Sequence, residues 1–346
     1  MKNNNLIAIS YAFLAAVFYA VNVPLSKLLL ASVPTVFMAA FLYIGAGLGV
    51  GAMYLFRFRR EDKTERLSKS DVPYTLAMVA LDILVPILLM IGVKVGSSSA
   101  ASLLGNFEIV ATTLIALLLF KEKVGWRLWA AIALITAASI VLSFDGSDGI
   151  SFSLGSLFVL GATLAWGFEN NCTRRISEKS TYQIVTIKGF GSGLGSLAVA
   201  LITGERFPDL RFVPPALILG FIAYGLSIFT YIRAQKMLGA AKTSAYYALA
   251  PFIGSFLAFI LLGERLSAQY ALALSIMILG TAFIVCDTLL KSHAHEHTHT
   301  FTHTHGGTAH THIIVHSHEH SHFVSEETHS HHHSTEELEK TLSANF

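Results

Sequence analysis

Long apolar runs follow one another through the first 290 residues of this 346-residue chain. A membrane helix needs roughly 20 mostly apolar residues to cross about 30 Å of hydrocarbon. Backbone groups in lipid must form their hydrogen bonds within their own segment, so runs of this length predict helices rather than open strands. Ten runs meet the requirement: residues 6–30, 34–56, 73–93, 96–120, 126–144, 152–172, 182–202, 212–232, 241–262 and 268–290.

The overall composition also indicates a membrane protein. Hydrophobic residues make up 53% of the chain and charged residues only 13%, whereas a soluble domain carries about 25% charged residues. The first run exceeds the roughly 7–15 apolar residues of a signal peptide, so we expect it to be retained as a helix. Cys172 and Cys286 both lie in apolar runs, which argues against a disulfide framework. The net charge of +2 gives no reason to expect a nucleic-acid partner.

Basic residues are distributed unequally between the loops. With the N-terminus inside, seventeen of the 24 lysines and arginines fall on the cytoplasmic side and five on the opposite side. Because cytoplasmic loops carry the excess of basic residues, we predict a multi-pass protein of the cell membrane with both termini in the cytoplasm. Lys188, inside the seventh run, is expected to extend its side chain to the cytoplasmic interface.

The two halves of the apolar region resemble each other. Residues 96–142 align with residues 238–284 at a constant offset of 142 residues without a gap. The alignment places Glu122 on Glu264, each followed by a basic residue, and we expect both acids to fix the hairpin between the last two helices of their half. The first helices of the halves also match: Tyr19-Ala20-Val21-Asn22 lies against Trp166-Gly167-Phe168-Glu169.

This duplication predicts the architecture. Five helices in each half is an odd number, so the second half must be inverted relative to the first, an arrangement that implies alternating access to a site near the midplane. The predicted fold is an all-α membrane protein of ten transmembrane helices in two inverted five-helix repeats. We place the first repeat at residues 1–145, the second at 146–291 and a disordered, His-rich cytoplasmic tail at 292–346. Small-residue rows predict close helix packing at Gly45, Gly47, Gly49, Gly51, Gly191 and Gly195.

The duplicated ending resembles the EamA type of the drug/metabolite transporter superfamily. The segments that carry the resemblance are LLLFKEKVGWRLWAAIALITAASIVL and FILLGERLSAQYALALSIMILGTAFIV, and Gly-Glu-Arg-Leu is their most recognisable step. The resemblance covers residues 6–290 and leaves the tail outside. It implies a secondary transporter of small metabolites, and members export amino acids and other metabolites or act as permeases for nucleotide-type compounds. We therefore predict an exporter of amino acids or related compounds that works by alternating access.

Two acids near the middle of predicted spans are candidate substrate-binding residues. An ionisable group at this depth costs at least about 2.5–3.5 kcal/mol, so each calls for an explanation. Asp82 lies in the third run and Glu108 in the fourth. They could bind a substrate ammonium or carry a proton, or they could be packing carboxylates bonded to Asn106, Thr112 or Ser97–Ser99.

Polar and aromatic residues at matched places in the repeats complete the candidate site. Asn22 interrupts the first run beside Pro24, and Glu169 ends the sixth run, its repeat-mate. Trp166 lies one turn before Glu169, and Tyr246 lies about one turn before Pro251 in the ninth run. We predict that Asn22, Trp166, Glu169 and Tyr246 line the cavity. The alternatives are helix packing for the aromatic residues and an interfacial pair with Arg174 or Arg175 for Glu169.

All sixteen histidines lie between His293 and His333. Imidazoles are good ligands for zinc, copper and nickel, and a spacing of two residues places them on one side of an extended segment. We expect loose, multiple metal binding, with pH sensing or no role as the alternatives. The candidate ligands are His293, His295, His297, His299, His316, His318, His320 and His322.

Two other classes of protein fit the sequence less well. A divalent metal-ion transporter, or a metal-regulated permease, would explain the tail, but a metal carrier should also place histidine beside Asp or Glu within the spans. No predicted span contains histidine. A membrane enzyme is disfavoured because the sequence lacks a nucleophile–base constellation and a phosphate-binding loop. We thus expect no resident cofactor, a small-molecule substrate and the lipid bilayer as partners, and an oligomeric state that the sequence leaves open.

Overall fold

The computed structural model describes residues 2–57, 65–120, 125–145, 151–238, 243, 246–305 and 308–323. The chain divides into two compact units, Met1–Val285 and Cys286–Phe346. The described α-helices, in chain order, are α1 Lys2–Ala20, α2 Asn22–Leu29, α3 Thr35–Arg57, α4 Val72–Val95, α5 Ser98–Leu104, α6 Phe107–Phe120, α7 Trp126–Ser143, α8 Leu154–Ile176, α9 Thr181–Ile202, α10 Val213–Gly220, α11 Ser227–Leu238, α12 Ala250–Leu262 and α13 Ala268–Leu289.

Short elements join some of these helices. One-turn 3₁₀ helices at Lys69–Asp71 and Leu210–Phe212 precede α4 and α10. A π-helix, Phe221–Leu226, connects α10 to α11. Strands β1 Phe144–Asp145 and β2 Ser151–Phe152 form a small antiparallel pair before α8.

Seven stretches of the described residues are long and apolar enough to cross a membrane: Leu6–Leu29, Thr35–Arg57, Lys69–Val95, Ser98–Ile115, Trp126–Ser143, Thr181–Ile202 and Leu210–Met237. The three remaining predicted runs each contain a described helix as well. Ala250–Leu262 and Ala268–Phe283 are apolar but shorter, and α8 carries more polar residues.

Helix α3 forms the centre of the core and packs closely against α9. Tyr43, Phe37 and Leu42 of α3 are among the largest fully buried side chains of the described residues. A Cβ atom on Gly189 of α9 would lie only 2.3 Å from the backbone nitrogen of Gly47. The predicted role of the glycine rows in close helix packing is therefore confirmed at this contact.

Several helices are interrupted near the middle of their predicted spans. Val21 separates α1 from α2, and Pro24 has no N–H group to bond the carbonyl of Ala20. Gly105 and Asn106 separate α5 from α6, and Pro86 lies inside α4. Such breaks are tolerated in membrane proteins where they are buried in protein or line a cavity, so they mark the region in which to look for a site.

The tail differs from the predicted disorder. Strand β3, Leu290–His305, pairs antiparallel with β4, Thr308–Phe323, and His297 lies opposite His316 in the register. The predicted disorder is not confirmed over these residues, where histidine alternates with threonine and serine at the two-residue period of a strand. Residues 324–346 of the predicted tail lie outside the described residues.

Candidate functional site

Three buried ionisable side chains form an ion-pair cluster in the helical unit: Asp82 of α4, Glu169 of α8 and Lys188 of α9. The Nζ atom of Lys188 lies 3.1 Å from Asp82 Oδ2 and 2.9 Å from Glu169 Oε1. Their exposed fractions are 0% for Asp82, 1% for Glu169 and 7% for Lys188. One ammonium thus neutralises two carboxylates, and the cluster carries a net charge of −1 when all three are ionised.

The cluster corrects the expectation for Lys188. Its side chain does not extend to the interface but turns into the bundle, where two carboxylates neutralise its ammonium. Glu169, for which cavity lining and an interfacial pair with Arg174 or Arg175 were both open, pairs with Lys188 and also accepts a hydrogen bond from Thr173 Oγ1 one turn later.

A chain of tyrosines connects this cluster to Asn22. Tyr43 donates a hydrogen bond from its hydroxyl to Asp82 Oδ1 at 2.9 Å. The ring of Tyr43 lies 4.9 Å from that of Tyr224, centroid to centroid. Asn22 Nδ2 in turn donates to the Tyr224 hydroxyl at 3.2 Å, and Asn22 is fully buried. Tyr224 belongs to the π-helix, whose wider turn is often found at functional sites.

Glu108 lies beside the cluster without joining it. Its Oε1 atom accepts a hydrogen bond of 2.6 Å from Asn170 Nδ2, and Asn170 is the residue after Glu169. The same amide nitrogen donates to Thr112 Oγ1 at 3.2 Å. Of the partners considered for a packing role, Thr112 is therefore connected to Glu108 through Asn170, while Asn106 makes no such bond.

A small cavity lies between the two halves of the chain. Its volume is about 20 Å³, enough for roughly one water molecule. The lining from the first half includes Tyr19, Leu89 and Ser102, and that from the second half includes Thr163, Trp166 and Pro251. The walls are mostly apolar, with Ser102 and Thr163 as polar members.

Aromatic rings line this cavity on one side. Tyr19 meets Trp166 edge to face with ring centroids 6.2 Å apart, and it contacts Tyr247 at 5.9 Å. The predicted cavity residue Trp166 thus lies at the cavity. Asn22, Glu169 and Tyr246 are not among the residues that line it. Tyr246 is partly buried, whereas its neighbour Tyr247 reaches Tyr19.

A second polar contact holds the connection between α4 and α5. Lys27 Nζ donates to the carbonyl oxygens of Val93, Lys94 and Gly96 at 2.6–2.9 Å. The Glu264 carboxylate accepts from the backbone N–H groups of Ser98 and Ser99 at 2.7 and 2.9 Å. We call these contacts the α4–α5 clamp. A cation thus bonds the C-terminal carbonyls of α4 and an anion bonds the N-terminal N–H groups of α5, each the charge that its helix end favours.

The clamp corrects the role expected of Glu264. Its carboxylate caps α5 of the other half instead of fixing the hairpin between α12 and α13, because free N–H groups at a helix start are the stronger attraction. Its counterpart Glu122 lies outside the described residues.

The predicted metal ligands all lie on the two strands of the tail. His293, His295, His297 and His299 belong to β3, and His316, His318, His320 and His322 belong to β4. The register sets His293 opposite His320, His295 opposite His318 and His297 opposite His316. In the part of the chain with described side chains, no group of three or more His, Cys, Asp or Glu could hold a metal ion.

Comparison with known proteins identifies the helical unit. The EamA-like transporter family matches residues 6–144 and again residues 153–286. This chain belongs to the EamA-like transporter family. Together with the long apolar helices, this membership makes the protein a multi-pass membrane transporter of small molecules, and the predicted family is confirmed.

Relatives and a solved structure agree with the assignment. An uncharacterized transporter from Methanothermobacter thermautotrophicus is 25% identical over 289 residues, which cover 77% of this chain and 82% of the relative. An uncharacterized transporter from Clostridium kluyveri is 23% identical over 245 residues, covering 67% and 79%. A solved crystal structure matches with a TM-score of 0.60 at 17% identity, covering 81% of this chain and 97% of that one, and shows a shared fold.

Two contributors to the site had not been predicted: Tyr43 and Tyr224. One signal was available for Tyr224, because the offset of 142 residues that aligns the two halves places it on Asp82. Tyr43 has no comparable signal, since a tyrosine within an apolar run is equally compatible with simple packing.

Proposed function

We propose that this chain is a secondary transporter of ten membrane helices, built as two inverted five-helix repeats, which exports amino acids or related compounds by alternating access. The observation that carries the proposal is the small cavity lined by residues of both halves and flanked by interrupted helices. Secondary transporters with inverted repeats bind their substrates at such a place.

Contacts between matched residues support the inverted arrangement. Tyr19 and Trp166 occupy corresponding positions of the two halves and touch each other, with ring centroids 6.2 Å apart. A residue contacts its own repeat-mate only where both lie close to the axis that relates the repeats. The cavity that Tyr19 and Trp166 both line would then lie on this axis, between the two halves that move against each other.

The size of the cavity indicates a closed state in the transport cycle. About 20 Å³ is far too small for an amino acid, and a metabolite would require several hundred Å³. Entry must therefore involve movement of one half against the other. The α4–α5 clamp would hold the cavity closed at one end.

Buried acids favour an ammonium group or a proton as the charge that moves. The ion-pair cluster has one carboxylate more than it has ammonium groups, and Glu108 lies close to it. Negative charge in a low-dielectric interior attracts a cation strongly. The sequence has no nucleotide-binding motif, so we propose that export is driven by a gradient and that Glu108 carries a proton.

Reconstituted transport tests this proposal. Purified protein in liposomes should exchange internal for external labelled amino acid, and an imposed pH gradient should drive net movement. In Glu108→Gln, the imposed pH gradient should no longer drive net movement of the amino acid, while membrane insertion should remain intact. Failure to exchange any amino acid would refute the substrate class, and an unchanged pH dependence in Glu108→Gln would refute the proton carrier.

We further propose that the tail binds Zn²⁺, Cu²⁺ or Ni²⁺ and makes transport sensitive to these ions. All twelve histidines between His293 and His322 fall on register pairs that share one face of the two-stranded ribbon. Directly opposite positions in an antiparallel pair have Cβ atoms about 4.5–5.5 Å apart, a spacing at which two imidazoles can share an ion. Equilibrium dialysis of the full-length chain against ZnCl₂ tests this, with a chain ending at residue 291 as the control.

A further inference from the structure

Asn106 is a buried amide without a hydrogen-bond partner. Its exposed fraction is 1%, and neither Nδ2 nor Oδ1 has a partner among the residues that the structure describes. An asparagine side chain can donate two hydrogen bonds and accept two. Leaving a buried polar group unpaired costs about 1–3 kcal/mol, so an amide with both ends unpaired requires an explanation.

Ser102 presents a second unpaired group one turn earlier. Its Oγ atom is buried and has no partner in the described part of the chain, and Ser102 lines the cavity between the halves. A Cβ atom placed on Gly254 of α12 would lie 3.2 Å from this hydroxyl. The glycine therefore leaves space beside the hydroxyl that any other residue would fill.

The two groups lie at the break between α5 and α6. Gly105 lines the cavity next to Ser102; Asn106, which is not itself among the lining residues, follows it directly as the last residue before α6. Unpaired hydroxyls occur elsewhere, as in Ser139 and Ser196, and Ser102 differs from these two because it lines the cavity. Asn106 is distinguished by its amide, which needs partners of both kinds.

We propose that Ser102 and Asn106 bind the polar head group of the transported molecule. The inference rests on the proposed function and specifies how its site recognises a ligand. The donors Ser102 Oγ–H and Asn106 Nδ2–H suit a carboxylate or a carboxamide oxygen, and Asn106 Oδ1 accepts from an ammonium or amide N–H group. The apolar walls at Val23, Leu89 and Trp166 suit an apolar remainder. The ligand class is thus a small molecule whose uncharged or zwitterionic head both donates and accepts hydrogen bonds.

Binding to full-length protein in detergent tests the proposal. The probes are L-leucine, L-leucinamide, isoamylamine, which lacks the carboxyl group, and 4-methylpentanoate, which lacks the amine. Leucine and leucinamide should bind, and each of the other two should bind at least about tenfold more weakly. Ser102→Ala and Asn106→Leu should each weaken leucine binding by about 10- to 100-fold. Ser139→Ala, which removes a buried unpaired hydroxyl in α7, is the matched control and should leave binding unchanged.

Stability without ligand separates recognition from a structural role. Replacing an unpaired polar group by an apolar group of similar shape is neutral or stabilising, so the thermal midpoints of Ser102→Ala and Asn106→Leu should equal or exceed that of the wild type. A clear fall in either midpoint would overturn the proposal, because it would show that the group has a partner in the protein. Unchanged leucine binding in both variants would overturn this site and leave the transport function standing. Absence of binding by any probe to the wild type would overturn both this inference and the amino-acid class.

Discussion

Lys188 is the residue on which the charge balance of the buried cluster depends. Its ammonium contacts Asp82 and Glu169, and all three side chains are shielded from solvent. Lys188→Met would leave two carboxylates buried without a cation, a change that costs about 3–5 kcal/mol in other proteins. We therefore expect a large fall in the free energy of unfolding, measured by thermal or denaturant unfolding in detergent.

The matched control for this variant is Lys94→Met. Lys94 ends α4 with an exposed side chain, and its removal should change stability by less than about 0.5 kcal/mol. Equal effects of the two substitutions would show that Lys188 does not neutralise the cluster.

The limits of sequence reasoning are visible in the same residues. An acid inside an apolar run is conspicuous, so Asp82, Glu108 and Glu169 could be selected from the sequence. The direction of the Lys188 side chain could not, because a long aliphatic stem allows the ammonium to reach either the interface or a buried partner. Tyr246 and Tyr247 show a related limit. Two adjacent tyrosines do not reveal which of them faces the cavity, because the sequence does not give the rotation of their segment about its axis.

At the level of elements, the contact between α3 and α9 depends on glycine. A Cβ atom on Gly189 would meet Gly47 N at 2.3 Å and Tyr43 O at 2.9 Å. Gly189→Ala should therefore separate the two helices and destabilise the protein by about 1–3 kcal/mol. Thermal unfolding measures the change.

Gly161→Ala in α8 provides the comparison for this substitution. Its added Cβ would have its nearest neighbour at an ordinary 3.7 Å, the Leu88 Cδ1 atom. Alanine favours a helix over glycine by about 0.5–1 kcal/mol, so this variant should be as stable as the wild type or more so. A stable Gly189→Ala variant would contradict the packing described for α3 and α9.

The α4–α5 clamp should make stability depend on acid pH. Burial raises the pKa of Glu264, but hydrogen bonds from Ser99, Ser98 and Ser97 outweigh it and hold the pKa below the ordinary value of 4.5. A lowered pKa contributes stability that is present above the ordinary value and is lost as the pH falls through the lower, folded-state value. Below pH 4.5, the thermal midpoint of the wild type should therefore fall more steeply than that of Glu264→Gln.

A control distinguishes this effect from general acid sensitivity. Glu178→Gln removes an exposed acid just after α8 and should follow the wild-type curve. Parallel pH curves for the wild type and Glu264→Gln would show that the clamp carboxylate contributes nothing through its charge.

For the whole molecule, the long apolar runs and the duplication were sufficient to predict a helical membrane transporter, and the resemblance of the duplicated ending added the EamA type. The helix breaks were harder to predict. Proline marks two of them in the sequence, at Pro24 and Pro251, but no proline marks the break at Gly105–Asn106 or the π-helix at Phe221–Leu226. The paired strands of the tail were missed because low hydrophobicity predicts disorder, although alternation alone is compatible with a strand.

The tail should be separable from transport. Removing residues 292–346 is expected to leave basal exchange in liposomes unchanged and to abolish its response to micromolar ZnCl₂. The response of the full-length protein should weaken below about pH 6, since imidazoles must be neutral to bind a metal. Loss of exchange on truncation would show that the tail belongs to the transport machinery.

The central claim is that the cavity between the halves opens in turn to each side of the membrane. Thr163 lines this cavity and is fully buried in the closed state. In protein with Cys172→Ala and Cys286→Ala, a cysteine at Thr163→Cys should react with a membrane-impermeant maleimide in right-side-out vesicles and also in inside-out vesicles. A cysteine at Ser139→Cys, in α7 outside the cavity lining, should react in neither. Reaction of Thr163→Cys from one side only, or from neither, would contradict alternating access.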